Sequence, residues 1–187
     1  MAQKKKVLMI CLGNICRSPI AEAVFEDQIN KLGINHLWEV DSAALIGYHT
    51  GKNPDRRAMS TLREKGITNY THKARPVNDF TTFDWIFGMD TSNIQELNRM
   101  KPNNCTAKIE LLGRYDPEEE VTIRDPYYVC ITFILRYALQ VSIRYCLKCT
   151  GIICNIYFEP VDYFLYIKTI IFYAYQYVRH TYVIYST

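Results

Sequence analysis

The sequence predicts an α/β fold in which helices cover both faces of a parallel sheet. Three observations support this prediction. Strand-like and helix-like segments alternate over the first 112 residues, the first strand-like run is apolar at every position, and a helix signal follows that run directly. Strands that alternate with helices in this way form parallel sheets through right-handed crossovers, and such sheets are buried on both faces.

The elements follow in chain order. The first strand is predicted over Val7 to Cys11, a compact apolar run. Ser18 is expected to cap the first helix, with Pro19 at its first position and Gly33 just after its end. The remaining elements are a strand at Trp38 to Ser42, a helix opened by Asn53-Pro54 and closed by Gly66, a strand at Trp85 to Met89, a helix at Ser92 to Met100 and a strand at Lys108 to Leu112.

Composition divides the chain near Tyr128. Residues 1 to 128 carry 17 basic and 17 acidic side chains, whereas residues 129 to 187 carry five and two. The second part also holds 10 of the 15 tyrosines and four of the seven cysteines. We therefore predict a folded domain over residues 1 to 128 and a separate apolar, tyrosine-rich tail over residues 129 to 187. Because the tail shows little helical or strand period, we expect it to be irregular or poorly ordered.

The composition also excludes several classes of function. The balanced charge gives no basic footprint for nucleic acid. The longest charge-free stretches of the tail, Cys149 to Phe158 and Thr169 to Val178, are shorter than the ~18 residues that a membrane span needs. The N-terminus shows no targeting pattern, and seven cysteines without regular spacing are typical of thiols in a reducing compartment. We expect a cytoplasmic protein.

The strongest chemical signal is the segment from Cys11 to Ser18, which we call the phosphate loop. It lies between the first strand and the N-terminus of the first helix. Its backbone N–H groups and the helix dipole favour a phosphate or another tetrahedral oxyanion, which Arg17 can bind through two oxygens. The same field favours a thiolate at Cys11. The candidate site therefore consists of Cys11, Leu12, Gly13, Asn14, Ile15, Cys16, Arg17 and Ser18.

The spacing of a cysteine and an arginine six residues apart is weak evidence by itself. Cys130 and Arg136 have the same spacing, but the residues between them are bulky and cannot form such a loop. The alternative for Cys11 is a buried thiol at a strand end with an arginine on the surface. The preceding strand, the Gly13-Asn14 pair and the following Ser18-Pro19 favour the oxyanion site.

Several segments together carry a family resemblance: Cys11 to Ala23, Asp41-Ser42-Ala43, Thr71 to Arg75, Phe83-Asp84, Met89-Asp90, Lys108 to Gly113 and Asp125 to Tyr128. In these segments the chain closely resembles the low-molecular-weight protein tyrosine phosphatases, over residues 5 to 128. The resemblance implies a four-stranded parallel sheet and hydrolysis of phosphotyrosine and small aryl phosphates through a cysteinyl phosphate. It implies neither a metal nor another cofactor.

The resemblance also assigns roles outside the phosphate loop. Asp125 corresponds to the general acid, which protonates the leaving phenolate and then activates water. Ser42 and His72 correspond, with Asn14 and Ser18, to a hydrogen-bond network that supports the loop and the thiolate. Tyr48 and Tyr127 correspond to aromatic walls of the substrate pocket. Residues by themselves leave other interpretations open, since Asp-Pro is often a turn and Ser42, His72 and the tyrosines suit ordinary surface or strand-end positions.

Two questions stay open at the level of sequence. Cys16 is either a small apolar filler or a partner that forms a protective disulfide with Cys11. After Tyr128 the chain departs from the family, which ends in an amphipathic helix. Because that helix is replaced, one alternative function is a splice or gene-model variant that binds phosphate but is catalytically impaired. A second alternative is a thiol-dependent arsenate reductase of the same fold. The aromatic residues beside Asp125 suit a phenyl ring and disfavour the reductase.

Overall fold

A four-stranded parallel sheet forms the centre of the described part of the protein. The computed structural model describes residues 3–115, 121–123, 125 and 175. Its strands are β1 (Lys5–Cys11), β2 (Trp38–Ala44), β3 (Trp85–Gly88) and β4 (Lys108–Leu111). They lie in the order β2-β1-β3-β4, and every neighbouring pair is parallel. The predicted fold class is confirmed, and the C-terminal ends of the strands share one edge of the sheet.

In the part of the chain up to residue 115, the helices α1 (Arg17–Lys31), α2 (Arg56–Glu64) and α3 (Thr91–Met100) cover the two faces of the sheet. Val7, Met9 and Cys11 of β1 pack into the core that contains residues of α1 and α2, whereas Leu8 and Ile10 pack into the core that contains α3. Successive strand residues point to opposite faces, so each face of β1 is buried. This double burial explains the unbroken apolar run in the sequence.

The predicted starts of α1 and α2 are wrong. Ser18 is the second residue of α1 rather than its cap, and its hydroxyl instead contacts Cys11 and Asn14. The cap of α2 is Asp55, whose carboxylate accepts a hydrogen bond of 2.8 Å from the Arg57 N–H. A carboxylate satisfies the unpaired N–H groups of a first turn, so the helix begins after Asp55.

The predicted end of α1 is confirmed. Gly33 has a φ angle of +69°, and its N–H bonds to the Asn30 carbonyl at 3.0 Å. Glycine adopts this left-handed conformation without steric cost and so terminates the helix.

Tyr175 is the one residue of the predicted tail that the structure describes. It is helical, fully buried and part of the same core as Met9 and Phe25. The other residues from 129 to 187 lie outside the described residues, and the boundary near Tyr128 stays a prediction. Within the described part of the chain, no helix combines the length and hydrophobicity that crossing a bilayer requires.

Candidate active site

The phosphate loop leaves β1 at the C-terminal edge of the sheet and turns directly into α1. Asn14 makes this turn possible, because its φ angle of 52° lies in the left-handed region that asparagine tolerates better than most residues. Gly13 is required for a different reason. A Cβ atom there would lie 2.9 Å from Cδ2 of His49, so only glycine lets the His49 ring pack against the loop.

The backbone of the loop presents donors rather than acceptors to a ligand. Its carbonyl groups bond to N–H donors outside the loop, namely Leu45 on Cys11, Ile46 on Leu12 and Asp55 on Ile15. By contrast, six loop N–H groups have no acceptor among the described residues, namely those of Leu12, Gly13, Ile15, Cys16, Arg17 and Ser18. N–H groups of this kind at a helix N-terminus bind anions.

Two groups of the loop contact the sulfur of Cys11, whose residue is only 4% exposed. The Asn14 N–H donates to Sγ at 3.3 Å, and the Ser18 hydroxyl oxygen lies 3.1 Å from Sγ. Because Ser18 Oγ accepts a hydrogen bond from Asn14 Nδ2, its own hydrogen is available for the sulfur. Hydrogen-bond donors in these positions stabilise negative charge on the sulfur.

Asn14 connects the loop to the residues behind it. Its Nδ2 donates to Ser18 Oγ at 2.9 Å and to Ser42 Oγ at 2.8 Å. Its Oδ1 accepts from the Arg75 N–H at 3.1 Å and lies 2.8 Å from Nε2 of His72. The side-chain amide thus uses its whole hydrogen-bonding capacity while fully buried. The structure brings together Asn14, Ser18, Ser42 and His72, the four residues that the resemblance assigns to one network.

Glu22 lies beneath this network and is almost fully buried. Its Oε2 accepts from Ser42 Oγ at 2.5 Å and from the Tyr70 hydroxyl at 2.7 Å, and it lies 3.3 Å from His72 Nδ1. Burial raises the pKa of Glu22 to about 7, although the two hydroxyl donors oppose the shift. Burial also lowers the pKa of His72. Both shifts favour neutral groups near pH 7.

Glu22, Asp41 and His72 also form a group that could hold a metal ion, with donor atoms within 4.8 Å of one another. Each of these side chains already has partners from the chain. Arg75 lies 2.5 Å from Asp41 and supplies a positive charge there, and Glu22 accepts from two hydroxyls. These contacts account for the cluster as an internal hydrogen-bond network.

Arg17 is held between two carboxylates although its side chain is only 3% exposed. Its Nη1 donates to Asp90 at 2.6 Å and to the Ile123 carbonyl at 3.0 Å, and its Nη2 bonds to Asp125. Burial opposes the positive charge, but Cys11, Asp125 and Asp90 outweigh it and raise the pKa of Arg17. The site therefore joins a sulfur, a fixed cation and a carboxylate.

Two other predicted site residues have contrasting surroundings. Tyr48 lies in a short 3₁₀ turn, Gly47–His49, and is 79% exposed with the Lys52 ammonium 5.8 Å from its ring centroid.

Cys16, by contrast, is largely buried within the phosphate loop. Burial and the charge of Asp55 raise the pKa of Cys16 to about 12, so that thiol is protonated at neutral pH. Tyr127 lies outside the described residues.

Comparison with known proteins assigns the chain to a family. The sequence profile described as low molecular weight phosphotyrosine protein phosphatase matches residues 6–137. The chain belongs to this family. The phosphatase is 52% identical over 128 residues to the low molecular weight phosphotyrosine protein phosphatase of Sus scrofa, an alignment that covers 66% of this chain and 80% of that protein. The resemblance seen in the sequence is confirmed.

Solved structures of phosphatases have the same fold as this chain. A protein tyrosine phosphatase from Entamoeba histolytica matches the phosphatase with a TM-score of 0.64 and 26% identity over 97% of this chain and 96% of its own. A Drosophila arginine phosphatase matches with a TM-score of 0.62 and 30% identity over 95% and 92%. These matches do not favour the arsenate reductase or the impaired phosphate-binding variant.

The sequence interpretation missed three side chains of the phosphatase site: Asp90, Glu22 and Tyr70. Asp90 follows β3 at the edge of the sheet where Cys11 ends β1, and parallel sheets place functional residues at that edge. Glu22 lies four residues after Ser18, one helical turn further along the same face of α1. The position of Tyr70 had no comparable signal, since it precedes His72 in an irregular segment.

Proposed function

We propose that this chain is a protein tyrosine phosphatase that hydrolyses phosphotyrosine through a covalent phosphocysteine at Cys11. Membership of the family supports the class of reaction, hydrolysis of a phosphoric monoester. One observation carries the choice of nucleophile. The sulfur of Cys11 accepts from the Asn14 N–H and lies against the Ser18 hydroxyl, in a loop whose other N–H groups have no acceptor among the described residues.

In the first step the Cys11 thiolate attacks phosphorus. An S–P bond forms, and the bond between phosphorus and the phenolic oxygen breaks. The loop N–H groups and Arg17 bind the non-bridging oxygens and offset the charge that develops on them. Asp125, as the neutral acid, gives its proton to the phenolic oxygen as it leaves. Its contact with Arg17 supports the position that this role requires, because it holds the carboxyl group beside the phosphate-binding cation.

In the second step water attacks the phosphocysteine. Asp125, now a carboxylate, takes a proton from the water as the new P–O bond forms. The S–P bond breaks, and its electron pair returns to sulfur, where Asn14 and Ser18 stabilise the thiolate again. The products are inorganic phosphate and the starting form of the enzyme. The side chains of the site and the attacking water supply every proton and electron pair, so the proposed reaction needs no cofactor.

The substrate class follows from the rim of the site. Exposed Tyr48, together with Tyr127, is proposed to hold the aryl ring of the substrate. Small aryl phosphates offer the same ring and phosphate, so we propose acid phosphatase activity on them as well. We further propose that the enzyme acts in the cytoplasm, where reducing conditions keep Cys11 as a thiol.

Turnover by the full chain and by Cys11→Ser tests the proposal. Substrates are a phosphotyrosine peptide, para-nitrophenyl phosphate and a phosphoarginine peptide, and arsenate with a thiol donor is assayed separately. We expect the full chain to hydrolyse the first two. Cys11→Ser should lose at least about 10⁴-fold in kcat, as nucleophile variants do, yet still bind inorganic phosphate through the loop.

Three results would contradict the proposal in different ways. Activity of Cys11→Ser above a few per cent would place the nucleophile elsewhere. Preference for the phosphoarginine peptide would show that the substrate class is phosphoarginine rather than phosphotyrosine. Arsenate-dependent thiol oxidation without phosphatase turnover would show that the reaction is arsenate reduction.

A further inference from the structure

A groove beside the phosphate loop is lined by positive charge. It encloses about 1060 Å³ between α2 and the segment 70–73. Its basic residues are Arg56, Arg57, Arg63 and Lys73, and no aspartate or glutamate is part of its lining within the described residues. The excess is local, because residues 1 to 128 carry 17 basic and 17 acidic side chains.

Three of the four cations are available to a ligand. Arg56, Arg63 and Lys73 are exposed and form no ion pair within the described residues, whereas Arg57 is paired with Asp55 at 2.9 Å. Arg56 and Arg63 are seven residues apart, so they lie on the same face of α2. His72 adds no charge near pH 7, because burial lowers its pKa.

The groove is adjacent to the phosphate loop. The Asp55 N–H at the start of α2 donates to the Ile15 carbonyl at 2.7 Å. On the other wall, His72 lines the groove and its Nε2 lies 2.8 Å from Asn14 Oδ1. Both walls are therefore fixed to the loop by hydrogen bonds.

The spacing of the charges suits a chain rather than a single ion. Seven residues of helix separate Arg56 from Arg63 by about 10 Å along the axis of α2. An extended peptide covers this distance with about three residues at ~3.3 Å each. Arginine and lysine heads on exposed side chains pair readily with carboxylates at such positions, and a cleft with charge of one sign concentrates ligands of the other sign.

We propose that this groove binds an acidic stretch of the protein substrate on one side of its phosphotyrosine. The proposal rests on the proposed function and extends it from the phosphorylated residue to the sequence around it. Glutamate or aspartate side chains of the substrate pair with Arg56, Arg63 and Lys73 while the phosphate occupies the loop.

Matched peptides test the proposal. One phosphotyrosine peptide carries three glutamates before the phosphotyrosine and another carries them after it, and each has a counterpart with glutamines. The enzymes are the full chain, the triple variant Arg56→Gln/Arg63→Gln/Lys73→Gln and the control Lys4→Gln/Lys101→Gln, which removes two exposed cations outside the groove. The readout is kcat/KM at low ionic strength.

We expect the full chain to prefer one glutamate peptide over its counterpart by about tenfold, with no preference for the other pair. The triple variant should reduce the ratio to below about twofold, the control should keep it, and ~0.5 M salt should suppress it in the full chain. All three enzymes should hydrolyse para-nitrophenyl phosphate equally. The absence of a preference in the full chain, an unchanged preference in the triple variant or equal preferences on both sides would overturn the proposal.

A binding measurement separates this proposal from the proposed function. Fluorescence anisotropy gives the affinity of each peptide for Cys11→Ser, with and without the three groove substitutions. Tighter binding of one glutamate peptide that disappears with the groove substitutions supports docking even if hydrolysis by Cys11 fails. Equal affinities for glutamate and glutamine peptides overturn docking even if hydrolysis is confirmed.

Discussion

Ser18 Oγ lies 3.1 Å from Cys11 Sγ, although Ser18 belongs to α1 and Cys11 ends β1. A hydrogen bond to a charged group contributes about 1.5 to 3 kcal/mol, so we predict that Ser18→Ala lowers kcat about tenfold to a hundredfold. Alkylation of Cys11 by iodoacetamide at pH 6 should slow as well. Ser92→Ala, an exposed serine on α3, is the matched control. Unchanged turnover and alkylation in Ser18→Ala would show that the contact does not support the thiolate.

Asp125 bonds to Arg17 and is proposed as the general acid. We predict that Asp125→Asn, which preserves the size of the side chain, slows aryl phosphates with basic phenols by about 10² to 10⁴-fold. Activated phenols need no proton to leave, so their hydrolysis should change little. The measurement is kcat across a series of substituted phenyl phosphates. Equal losses across the series would leave Asp125 a structural role only.

Cys16 is a second thiol in the phosphate loop, protonated at neutral pH because burial raises its pKa to about 12. We predict that mild peroxide oxidises Cys11 first and that Cys16 then closes a disulfide, with loss of water from the sulfenic acid. Activity should return fully on addition of a thiol. Cys16→Ser should lose activity permanently over repeated cycles. Complete recovery of Cys16→Ser would refute the protective disulfide.

Glu22 makes stability depend on pH. Its pKa rises from 4.5 to about 7 in the folded protein, so the folded state holds a proton between these values that the unfolded state has released. This contribution is therefore present below pH 4.5 and is lost as the pH rises through 7. We predict that the free energy of unfolding of the parent, relative to Glu22→Gln, falls by roughly 2 to 3 kcal/mol between pH 5 and pH 8.

Urea unfolding of both proteins at both pH values measures this difference, and the comparison with Glu22→Gln cancels titration elsewhere in the chain. A difference that does not change with pH would mean that Glu22 is ionised throughout.

Tyr175 is fully buried in the core around Met9 and Phe25. We predict that Tyr175→Ala lowers the free energy of unfolding by about 3 to 5 kcal/mol, the usual cost of deleting a large buried ring. Tyr173→Ala is the comparison within the same segment. Chemical unfolding followed by tryptophan fluorescence gives both values. A loss below about 1 kcal/mol for Tyr175→Ala would show that the tail does not contribute to the core.

The sequence was sufficient for the sheet because its signal is local. The first strand is a short apolar run, and β1, β2 and β3 are each followed by a turn and a helix, so the alternation predicted the parallel sheet. The helix starts were harder. Ser18-Pro19 has the composition of a cap, but a capping hydroxyl accepts a hydrogen bond from an N–H of the first turn. The Ser18 oxygen instead accepts from Asn14 Nδ2 and contacts Cys11, and Ser18 is already the second residue of α1.

In the active site, too, the sequence predicted the residues of one local segment but not the partners from distant segments. Cys11 and Arg17 lie on one continuous segment, so spacing and the Gly13-Asn14 pair pointed to an oxyanion site. The partners of Arg17 and of Glu22 come from distant segments, and no local pattern joins Asp90 to Arg17 or Tyr70 to Glu22. The burial of Tyr175 was equally hard to predict from the sequence. It depends on the core that the ring packs against and not on the neighbouring residues in the chain.

The partners of Arg17 are 73, 106 and 108 residues away along the chain. Contacts over such distances form late, after the intervening loops have closed. Catalytic competence is therefore expected as the last property to appear when the enzyme refolds, behind the recovery of helix and of tryptophan burial, and turnover sampled during refolding can test this order. We therefore expect that a ribosome-bound or proteolysed chain that contains Cys11 but ends before residue 90 does not hydrolyse phosphorylated proteins.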